Sequence, residues 1–250
     1  MAASSFTTDT HPLIRHLSSV ATLSDDDKRA LLSLPMQIIE LRADQDIVRE
    51  GDRPTRSCLI LDGFACTFKM TGDGRRQIMA FHIAGDIPDL QSLHLEVLDS
   101  SLATISPCKV AFIQHDALHA LCEQHYGIAR ALWRVTLTDA SIFREWIMNV
   151  GRRDATAQLS HVLCETLVRS KAVGLAEDHT CEMAITQQEL GDATGNSAVH
   201  VNRVLQDLRR QSLISLEGRT LKALDWEALK AAADFDPTYL HFKEPERYAA

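Results

Sequence analysis

The sequence has no apolar run near the length of a membrane-spanning helix. Such a helix needs about 20 consecutive apolar residues, and the 250-residue chain contains no run of that kind. Its first residues, MAASSFTTDTHPLIRHL, also lack a basic segment followed by an apolar stretch, which a secretory signal requires. We therefore expect a cytoplasmic protein with no membrane partner.

Cysteine patterns with a chemical meaning are missing as well. The six cysteines form no Cys-x-x-Cys pair and no zinc-ribbon spacing, and none precedes Cys58. Because free cysteine is usually buried, we interpret all six as core residues. The chain also lacks a phosphate-binding glycine loop, a nucleophile motif and paired carboxylates, so we expect no enzyme and predict no cofactor.

An excess of positive charge is absent too. The formal net charge is −8, which argues against a protein that coats nucleic acid through bulk electrostatics. A local DNA-binding face on an otherwise acidic body stays possible. Such a body would limit indiscriminate binding.

Residues 36–114 carry short apolar or alternating runs, such as CLILDG and RRQIMAFHI, separated by glycines. Short strands at this spacing are typical of a β-barrel or a double-sheet roll. Glycine in the segment MTGDGR (70–75) supplies the positive φ that a hairpin turn needs. We predict a β-roll here, preceded by a capped short helix near Ser24.

A long helix is predicted over YGIARALWRVTLTDASIFREWIMNV, because its apolar residues recur at spacings of three, four and seven. We assign five of them to a homodimer interface: Ile128, Leu132, Val135, Ile142 and Trp146. Leu137, Phe143 and Ile147 widen the stripe, so more than one partner must cover this helix. The alternative is a helix buried wholly within a monomer.

The long helix is interrupted at Gly151-Arg152-Arg153-Asp154, where we expect a hinge, and Asp154 can cap the next helix. Residues 175–184 look like a polar connector. Beyond it, Thr186-Gln187-Gln188-Glu189 has the form of a capping box. Gly195 ends this helix and Ser197 caps the next, which is the helix-turn-helix arrangement.

The second of these helices has two contrasting faces. At about 100° per residue, Val201, Val204, Leu205 and Leu208 gather on one side. The opposite side carries Val199, Arg203, Gln206 and Arg210, flanked by His200 and Asn202. Arginine bonds guanine bidentately, Asn or Gln bonds adenine, and an apolar side chain contacts the thymine methyl. The outer face therefore predicts base reading by Val199, His200, Asn202 and Arg203, against the alternative of a packing helix with one stray surface valine.

A hairpin follows the reading helix at LISLEGRTLKAL, which makes a winged helix-turn-helix. From Thr186 to Lys222 five basic residues face four acidic ones, a local net charge of +1. Eight residues are predicted to contact phosphates or position the motif: Thr186, Gln188, Ser197, Gln206, Arg209, Arg210, Arg219 and Lys222. With so small a local charge, affinity should depend on a dimer that engages two half-sites.

From about Asp25 to Asp225 the chain resembles the Crp/Fnr family, the relatives of the bacterial cyclic-AMP receptor protein. The segments REGDRPTRSCLILDGFACTF and GDGRRQIMAFHIAGD are similar to the family's cyclic-nucleotide-binding roll. The segment TQQELGDATGNSAVHVNRVLQDLRRQSLI resembles its DNA-reading unit. The resemblance implies an α+β fold of roll, dimerisation helix and winged helix-turn-helix. It also implies a two-fold symmetric DNA site and RNA polymerase as a partner.

The resemblance has a gap at the effector site. Nucleotide-binding members hold the ribose with a Gly-Glu-Leu segment and the cyclic phosphate with an Arg-Ser pair about ten residues later. The matching residues here are Gly85, Asp86, Asp89, Leu90, Ser92, Asp99 and Ser100. No arginine or lysine lies between Arg76 and Lys109, and Asp99 adds a negative charge. A buried phosphate without a cation is unfavourable, so we predict weak or absent cyclic-AMP binding.

Neither of two conceivable metal centres is predicted. Oxygen-sensing members of the family hold an iron–sulfur cluster through cysteines near the N-terminus, and this chain has none there. His115, His119 and Cys122 fall at i, i+4 and i+7 on one predicted helix, a spacing that can hold zinc. An ordinary amphipathic helix explains the same spacing, and we predict no metal site.

The expected layout has five parts: a lead-in (1–24), the sensor roll (25–125), the dimerisation helix (126–150), the winged helix-turn-helix (151–232) and a tail (233–250). Together they predict a homodimeric transcription regulator whose roll senses an unidentified signal and repositions the reading helices. The alternative is a small-ligand or metal-binding signalling module whose helix-turn-helix contacts protein. The aromatic tail segment FDPTYLHF has no assigned role.

Overall fold

The computed structural model describes residue 7 and residues 10–243 of the chain. Its α-helices are α1 (Pro12–Val20), α2 (Asp25–Ser33), α3 (His115–Gln124), α4 (Tyr126–Arg152), α5 (Ala155–Ala172), α6 (Gln187–Thr194), α7 (Ala198–Arg210) and α8 (Trp226–Ala233). Its strands are β1 (Gln37–Leu41), β2 (Asp46–Val48), β3 (Arg56–Asp62), β4 (Ala65–Met70), β5 (Arg76–His82), β6 (Ser101–Thr104), β7 (Cys108–Gln114), β8 (Ala176–Glu177), β9 (Thr180–Glu182), β10 (Ile214–Glu217) and β11 (Thr220–Ala223). None of the helices in the described part of the chain is both long and apolar enough to cross a membrane.

The described residues form two compact units. The first comprises the residues up to Ala65 together with His82–Leu137, and the second comprises Cys66–Phe81 together with the residues from Thr138 onward. The fold is α+β, and β1–β7 supply the expected β-roll. The second unit therefore contains one hairpin of the roll, β4 and β5, besides the C-terminal helices.

The first unit is built on an antiparallel sheet of order β1-β7-β3. Its register pairs Ile39 with Val110 and Cys58 with Phe112. Alternate residues of these strands face one side, where Cys58, Ile60, Val110 and Phe112 form a buried cluster. The sequence prediction of buried cysteine is confirmed here, since five of the six cysteines are buried and Cys122 is half-buried.

The N-terminal lead-in is not a loose segment over its whole length. Residues 12–20 form α1, which begins with Pro12 at its first turn and buries Leu13, Ile14, Leu17 and Val20. These four residues recur at spacings of one, three and three, so one side of the helix packs on the core. The prediction missed this helix because proline and the histidines around it gave no N-cap signal. Residues 1–6, 8 and 9 lie outside the described residues.

The prediction of a capped helix at Ser24 is confirmed. Ser24 accepts a hydrogen bond from the Asp27 backbone N–H, and the Asp27 carboxylate accepts one from the Ser24 backbone N–H. The three aspartates of the first turn also lie at the positive end of the helix dipole. This reciprocal pair fixes the start of α2.

The junction between α4 and α5 lies within the interruption expected at residues 151–154, and the predicted Asp154 cap is confirmed, although α4 extends two residues beyond its expected end at 150. Gly151 is inside the last turn of α4, which ends at Arg152, and α5 begins at Ala155 with Asp154 as its N-cap. The side chain of Asp154 accepts from the Ala157 backbone N–H. Glycine does not end this helix, because the cap formed by Asp154 sets where the next helix starts. The bend is therefore at Arg153 and Asp154.

The five residues assigned to a dimer interface are buried by the chain itself. Ile128, Leu132, Val135, Ile142 and Trp146 are 0–7% exposed, so they offer almost no surface to a second copy. The structure corrects that assignment, because a helical stripe in the sequence marks the side that packs and does not say against what. Four exposed apolar residues of α4 lie on its other side, Tyr126, Trp133, Leu137 and Ile147, and Phe143 and Val150 are exposed at its edge.

The C-terminal helices of the second unit surround α5, whose residues 158–168 are all buried. Its other layer is an antiparallel sheet of order β10-β11-β9-β8. Residues 175–184, expected as a polar connector, therefore contain the β8–β9 hairpin. Each of these strands is three residues or shorter, too short for an alternating pattern to be recognised.

The aromatic tail docks on the second unit. After α8, residues 237–240 form a 3₁₀ turn, and Phe235 and Leu240 are buried. Tyr239 donates a hydrogen bond to the Glu165 carboxylate on α5, at 2.6 Å. The final residues, 244–250, lie outside the described part of the chain.

The β4–β5 hairpin contacts the helices of its own unit through polar groups. The Arg76 guanidinium pairs with the Asp192 carboxylate on α6 at 2.8 Å, and Gln77 donates to the Ala193 carbonyl at 3.1 Å. Both side chains of the ion pair are largely buried. These two contacts attach α6 to a strand that is 116 residues earlier in the sequence.

Candidate nucleic-acid interface and effector segment

The predicted capping box caps the N-terminus of α6, the first helix of the helix-turn-helix. Thr186 Oγ1 accepts from the Glu189 backbone N–H at 3.2 Å, and Glu189 Oε2 accepts from the Thr186 backbone N–H at 2.6 Å. Two backbone donors that α6 would leave unsatisfied are thus paired. Thr186 is committed to this cap, so its positioning role is to fix the start of α6.

The turn between α6 and α7 depends on two glycines for different reasons. Gly195 has a φ of +71° and ends α6 in the left-handed conformation. Gly191 is in the helix, and a Cβ there would lie 2.4 Å from the Asn196 carbonyl oxygen. Asn196 in turn donates to the Gln158 side chain on α5 at 2.8 Å. The close approach of the two helices therefore requires glycine at position 191.

The reading helix α7 begins at its predicted cap and packs on its predicted face. Ser197 Oγ accepts from the His200 backbone N–H at 3.2 Å. The residues expected on the inner side, Val201, Val204, Leu205 and Leu208, are 0–4% exposed. Removing apolar surface from water stabilises the fold by about 25 cal/mol per Å². Because only one rotation of the helix about its axis buries all four side chains, this stabilisation fixes the rotation. The opposite face is consequently presented outward.

The outer face of α7 holds the side chains expected to read bases. Val199 is 82% exposed, so this apolar side chain presents most of its surface to the solvent. Arg203 is exposed one turn later, and its guanidinium lies 2.6 Å from His200 Nδ1. Gln206 is exposed on the next turn. The structure thus brings Val199, His200 and Arg203 onto one surface.

Asn202 lies at the flank of this face and is not free. Its Nδ2 donates to Gln187 Oε1, on the first residue of α6, at 3.0 Å. Both side chains are half-buried. Sequence reasoning identified Asn202 but missed Gln187, because a contact between two helices leaves no mark in the periodicity of either.

The residues expected to contact phosphates divide into two groups. Arg209 donates to the Leu216 carbonyl at 2.9 Å and so holds the wing, and Gln188 donates to the Asp192 carboxylate at 2.9 Å. Arg210 pairs with Asp207, and Arg219 pairs with Glu182. These two arginines and Lys222 are exposed at the surface. Exposed ion pairs contribute little, so Arg210 and Arg219 stay available to a stronger anion.

Residues 85–100, which we call the effector segment, pack against other residues of the first unit. Among the seven residues predicted there, only Asp99 is exposed. The Asp86 carboxylate accepts from the Ile83 backbone N–H at 3.0 Å and lies 3.3 Å from His16 Nδ1 on α1. A Cβ on Gly85, whose φ is +103°, would meet the Pro12 carbonyl oxygen at 2.7 Å. Helix α1 therefore packs directly against the segment that matches the ribose-binding stretch of nucleotide-binding family members.

Asp89, the residue at the position of the ribose-binding glutamate, points inward. It is 2% exposed, its Oδ1 accepts from the Cys58 backbone N–H at 2.8 Å, and its Oδ2 has no hydrogen-bond partner among the described residues. Burial raises the pKa of this carboxyl to about 7. A carboxylate in this position is not presented to a ribose.

This carboxyl predicts an unusual pH dependence of stability. Its pKa is about 7 in the folded protein, against 3.8 for an ordinary aspartate, so the unfolded chain loses the proton first as the pH rises. The contribution of Asp89 therefore becomes less favourable between about pH 4 and pH 7 and levels off above. We expect Asp89→Asn to gain stability over the wild type across this range, by about 4 kcal/mol at pH 8.

Chemical unfolding at pH 4.5, 6 and 8 measures this effect, with the exposed Asp99→Asn as the matched control. The control should track the wild type at every pH. If the difference in free energy of unfolding between Asp89→Asn and the wild type does not change with pH, the Asp89 carboxyl is not buried in its neutral form and the prediction is wrong.

The histidines at metal-ligand spacing have other neighbours. His115 Nε2 lies 3.1 Å from the Ser92 hydroxyl, and the His119 ring packs edge-on against His94 with 5.6 Å between centroids. The described residues contain no group of three or more His, Cys, Asp or Glu side chains arranged to hold a metal ion. Nothing in this part of the chain supports a zinc centre.

Comparison with known proteins gives two family matches along the chain. Residues 38–125 match the family of the cyclic nucleotide-binding domain, and residues 157–232 match that of the Crp-like helix-turn-helix domain. Together the two matches cover about two-thirds of the chain.

Individual relatives are distant but span most of the chain. The transcriptional activator protein FnrA of Stutzerimonas stutzeri is 24% identical over 215 residues, which are 85% of this chain and 86% of FnrA. The nitrogen fixation regulation protein FixK of Azorhizobium caulinodans is 27% identical over 173 residues, 69% of each chain. The structure of FixK2 from Bradyrhizobium japonicum has a TM-score of 0.72 and 23% identity, and the match covers 80% of this chain and 98% of that one. These relatives are transcription regulators rather than enzymes.

Proposed function

Because this chain belongs to the Crp/Fnr family of transcription regulators, we propose that it binds a specific double-stranded DNA site through α7. One observation carries the proposal: the exposed face of α7, where Val199 projects into solvent beside Arg203. An 82% exposed valine beside an arginine suits the edges of bases better than it suits water. The major groove is wide enough to admit such a helix.

Each side chain of the face has a chemical counterpart on DNA. Arg203 offers parallel N–H donors to guanine O6 and N7, and Asn202 offers a donor and an acceptor to adenine. Val199, in the first turn, suits a thymine methyl. His200 contacts a base or a phosphate. Arg210, Arg219 and Lys222 are assigned to phosphates, which set position without reading sequence.

The proposed working form is a homodimer in the cytoplasm, where the DNA is, with RNA polymerase as a further partner. The apolar residues on the exposed side of α4 support the dimer, since a stripe of this kind marks an interface. Two reading helices related by a two-fold axis require a two-fold symmetric DNA site. The alternative, a helix-turn-helix that contacts protein, finds no support among the relatives.

Selection from a random duplex library tests this function. The expected outcome is enrichment of a palindrome whose half-sites are one helical turn apart, about 34 Å. Binding of all sequences with equal affinity would count against the proposal. Mapping of the bound sites on the genome would then point to the regulated genes and so to the signal.

The proposed mechanism passes a signal from the β-roll along α4 to the junction at Arg153 and Asp154, which reorients α7. The signal is unidentified. Cyclic AMP is a poor candidate, because residues 85–108 supply no cation for its phosphate and Asp89 is buried.

We expect no thermal stabilisation by cyclic AMP or cyclic GMP at micromolar concentrations. A ligand at 100 times its Kd adds about 2.7 kcal/mol to the free energy of unfolding, so a real effector gives a clear rise in Tm. A titration with both nucleotides, with adenosine as the control for unspecific binding, makes the measurement. A saturable shift with either cyclic nucleotide would contradict the prediction.

A further inference from the structure

The amide of Asn202 is already held by a neighbour before any DNA is present. Gln187 begins α6, and its position is fixed because the capping box of Thr186 and Glu189 closes that end of the helix. Its Oε1 accepts a hydrogen bond from Asn202 Nδ2 at 3.0 Å. The adjacent Gln188 points elsewhere and donates to Asp192. Only one of two neighbouring glutamines therefore contacts the reading helix.

The bond leaves Asn202 the groups that adenine needs. An asparagine amide has two N–H donors and one carbonyl oxygen, and Gln187 occupies one donor. The other N–H and the oxygen remain for the bidentate pattern that asparagine makes with adenine N7 and N6. An amide held in one orientation also loses less freedom when it binds.

We propose that Gln187 is a positioning residue that orients Asn202 toward adenine and so sets specificity at one base pair of each half-site. This inference rests on the proposed function. Gln187 acts through Asn202, so its removal should lower discrimination at that base pair more than it lowers affinity overall.

The experiment is a double-mutant cycle on full-length protein with two DNA duplexes. The duplexes differ only at the base pair whose preference is lost in Asn202→Ala, and the readout is the ratio of their Kd values. We expect Gln187→Ala to lower this ratio about 3-fold or more. In the Asn202→Ala background the same change should have no further effect on the ratio.

Two variants separate this role from simple packing. Gln188→Ala, the matched control, should leave the ratio unchanged even where it weakens binding to both duplexes. Gln187→Glu keeps an acceptor for Asn202, so the ratio should be retained although the new carboxylate weakens binding to both duplexes alike. If Gln187→Ala leaves the ratio of the two Kd values unchanged, the inference about Gln187 is wrong while the proposed function stands. A wild-type chain without preference at any base pair would overturn the proposed function as well.

A separate observation concerns the tail that the sequence left without a role. Residues 234–241 lie across the junction of α4 and α5. Tyr239 Oη donates to Glu165 on α5, and His241 Nε2 lies 3.1 Å from the Ser141 hydroxyl on α4. Leu240 is 2% exposed between these two contacts.

The junction itself is tied to the same segment. Arg153 donates to the Asp234 carbonyl at 2.9 Å and pairs with Glu145 on α4 at 2.8 Å. Glu165 also accepts from the Trp146 indole N–H at 3.1 Å. The buried carboxylate of α5 is thus shared between a residue of α4 and a residue of the tail.

We infer that residues 234–241 form a strap that fixes the angle between α4 and α5 and so the direction in which α7 is presented. The two helices are also linked directly by Asn149 and Gln158, whose amides bond each other's backbone carbonyls at 3.3 and 3.2 Å. A strap that also bonds both helices limits how far the junction opens, since each bond must break first.

Tyr239→Phe in the full chain tests the strap, with Ser33→Ala, which also removes one hydroxyl but at an exposed position on α2, as the control. We expect hydrogen exchange of the amides at 150–158 to quicken about 10-fold and DNA affinity to fall about 3-fold or more, while the control matches the wild type. Ser141→Ala, which removes the contact to His241 without disturbing the buried carboxylate, should act in the same direction. Unchanged exchange and unchanged DNA affinity in both strap variants would overturn the inference.

Discussion

Replacing Ile147 with aspartate should turn the protein into a monomer and lower its affinity for a two-fold symmetric DNA site by about 10²-fold or more. Ile147 is 73% exposed. At about 100° per residue it falls on the same side of α4 as Trp133 and Leu137, which are also exposed. A carboxylate there would be buried without a partner in the dimer, and that is strongly unfavourable.

The loss of DNA affinity follows from linkage of the two half-sites. In a dimer the second reading helix binds at a high effective concentration once the first is seated, and a monomer has no such advantage. Light scattering after gel filtration gives the mass, and fluorescence anisotropy gives affinities for a full site and a half-site. Ile147→Asp should bind the half-site as the wild type does.

A suitable control places the same charge on another exposed apolar residue. Leu175→Asp alters a residue that is 47% exposed and far along the sequence from α4. It should remain dimeric and bind the full site normally. A dimeric Ile147→Asp with native affinity would show that α4 does not form the interface through this side.

Arg203→Ala should abolish most sequence discrimination. A bidentate arginine–guanine contact contributes about 1–3 kcal/mol of discrimination, and each protomer loses one such contact. If the two losses add, the affinity for the symmetric site falls about 30-fold or more. Because Arg203 is exposed and contacts only His200 in its described hydrogen bonds, folding stability should change by less than about 0.5 kcal/mol.

Arg219→Ala is the informative comparison. Arg219, at the turn of the wing, is half-exposed and pairs with Glu182 at the end of β9, and it is assigned to a phosphate. Its removal should weaken binding to specific and unrelated DNA by similar factors and reduce the salt dependence by about two units of slope, one for each protomer. Equal behaviour of the two arginine variants on both kinds of DNA would contradict the separate roles assigned here.

The reading head was largely predictable from the sequence because its determinants are local. The caps at Thr186 and Ser197, the glycine turn and the inner stripe of α7 each act within one or two turns of chain. Local signals of this kind are readable without knowing the rest of the fold. The structure confirms these elements, while base reading by Val199, Asn202 and Arg203 remains a prediction.

The sequence did not reveal the features that depend on contacts between residues far apart in the chain. The stripe from Ile128 to Trp146 marks a side that packs, yet only the fold says that this side is covered by the same chain. Asp89 matched a ligand-binding position, but its side chain points inward, where it accepts a hydrogen bond from the Cys58 backbone N–H of β3. For the stripe, the pattern was right about burial and silent about what covers it, whereas for Asp89 a matching position in the sequence did not specify the direction of the side chain.

The attachment of the β4–β5 hairpin to α6 also sets an order of events during synthesis. Arg76 leaves the ribosome 116 residues before Asp192, which at about 5–20 residues per second is a delay on the order of 10 s. Throughout that interval the hairpin has none of its contacts with α6. The second unit is therefore complete only when the helix-turn-helix has been translated, and a truncated chain that ends before α6 leaves one hairpin of the roll without its ion pair to α6.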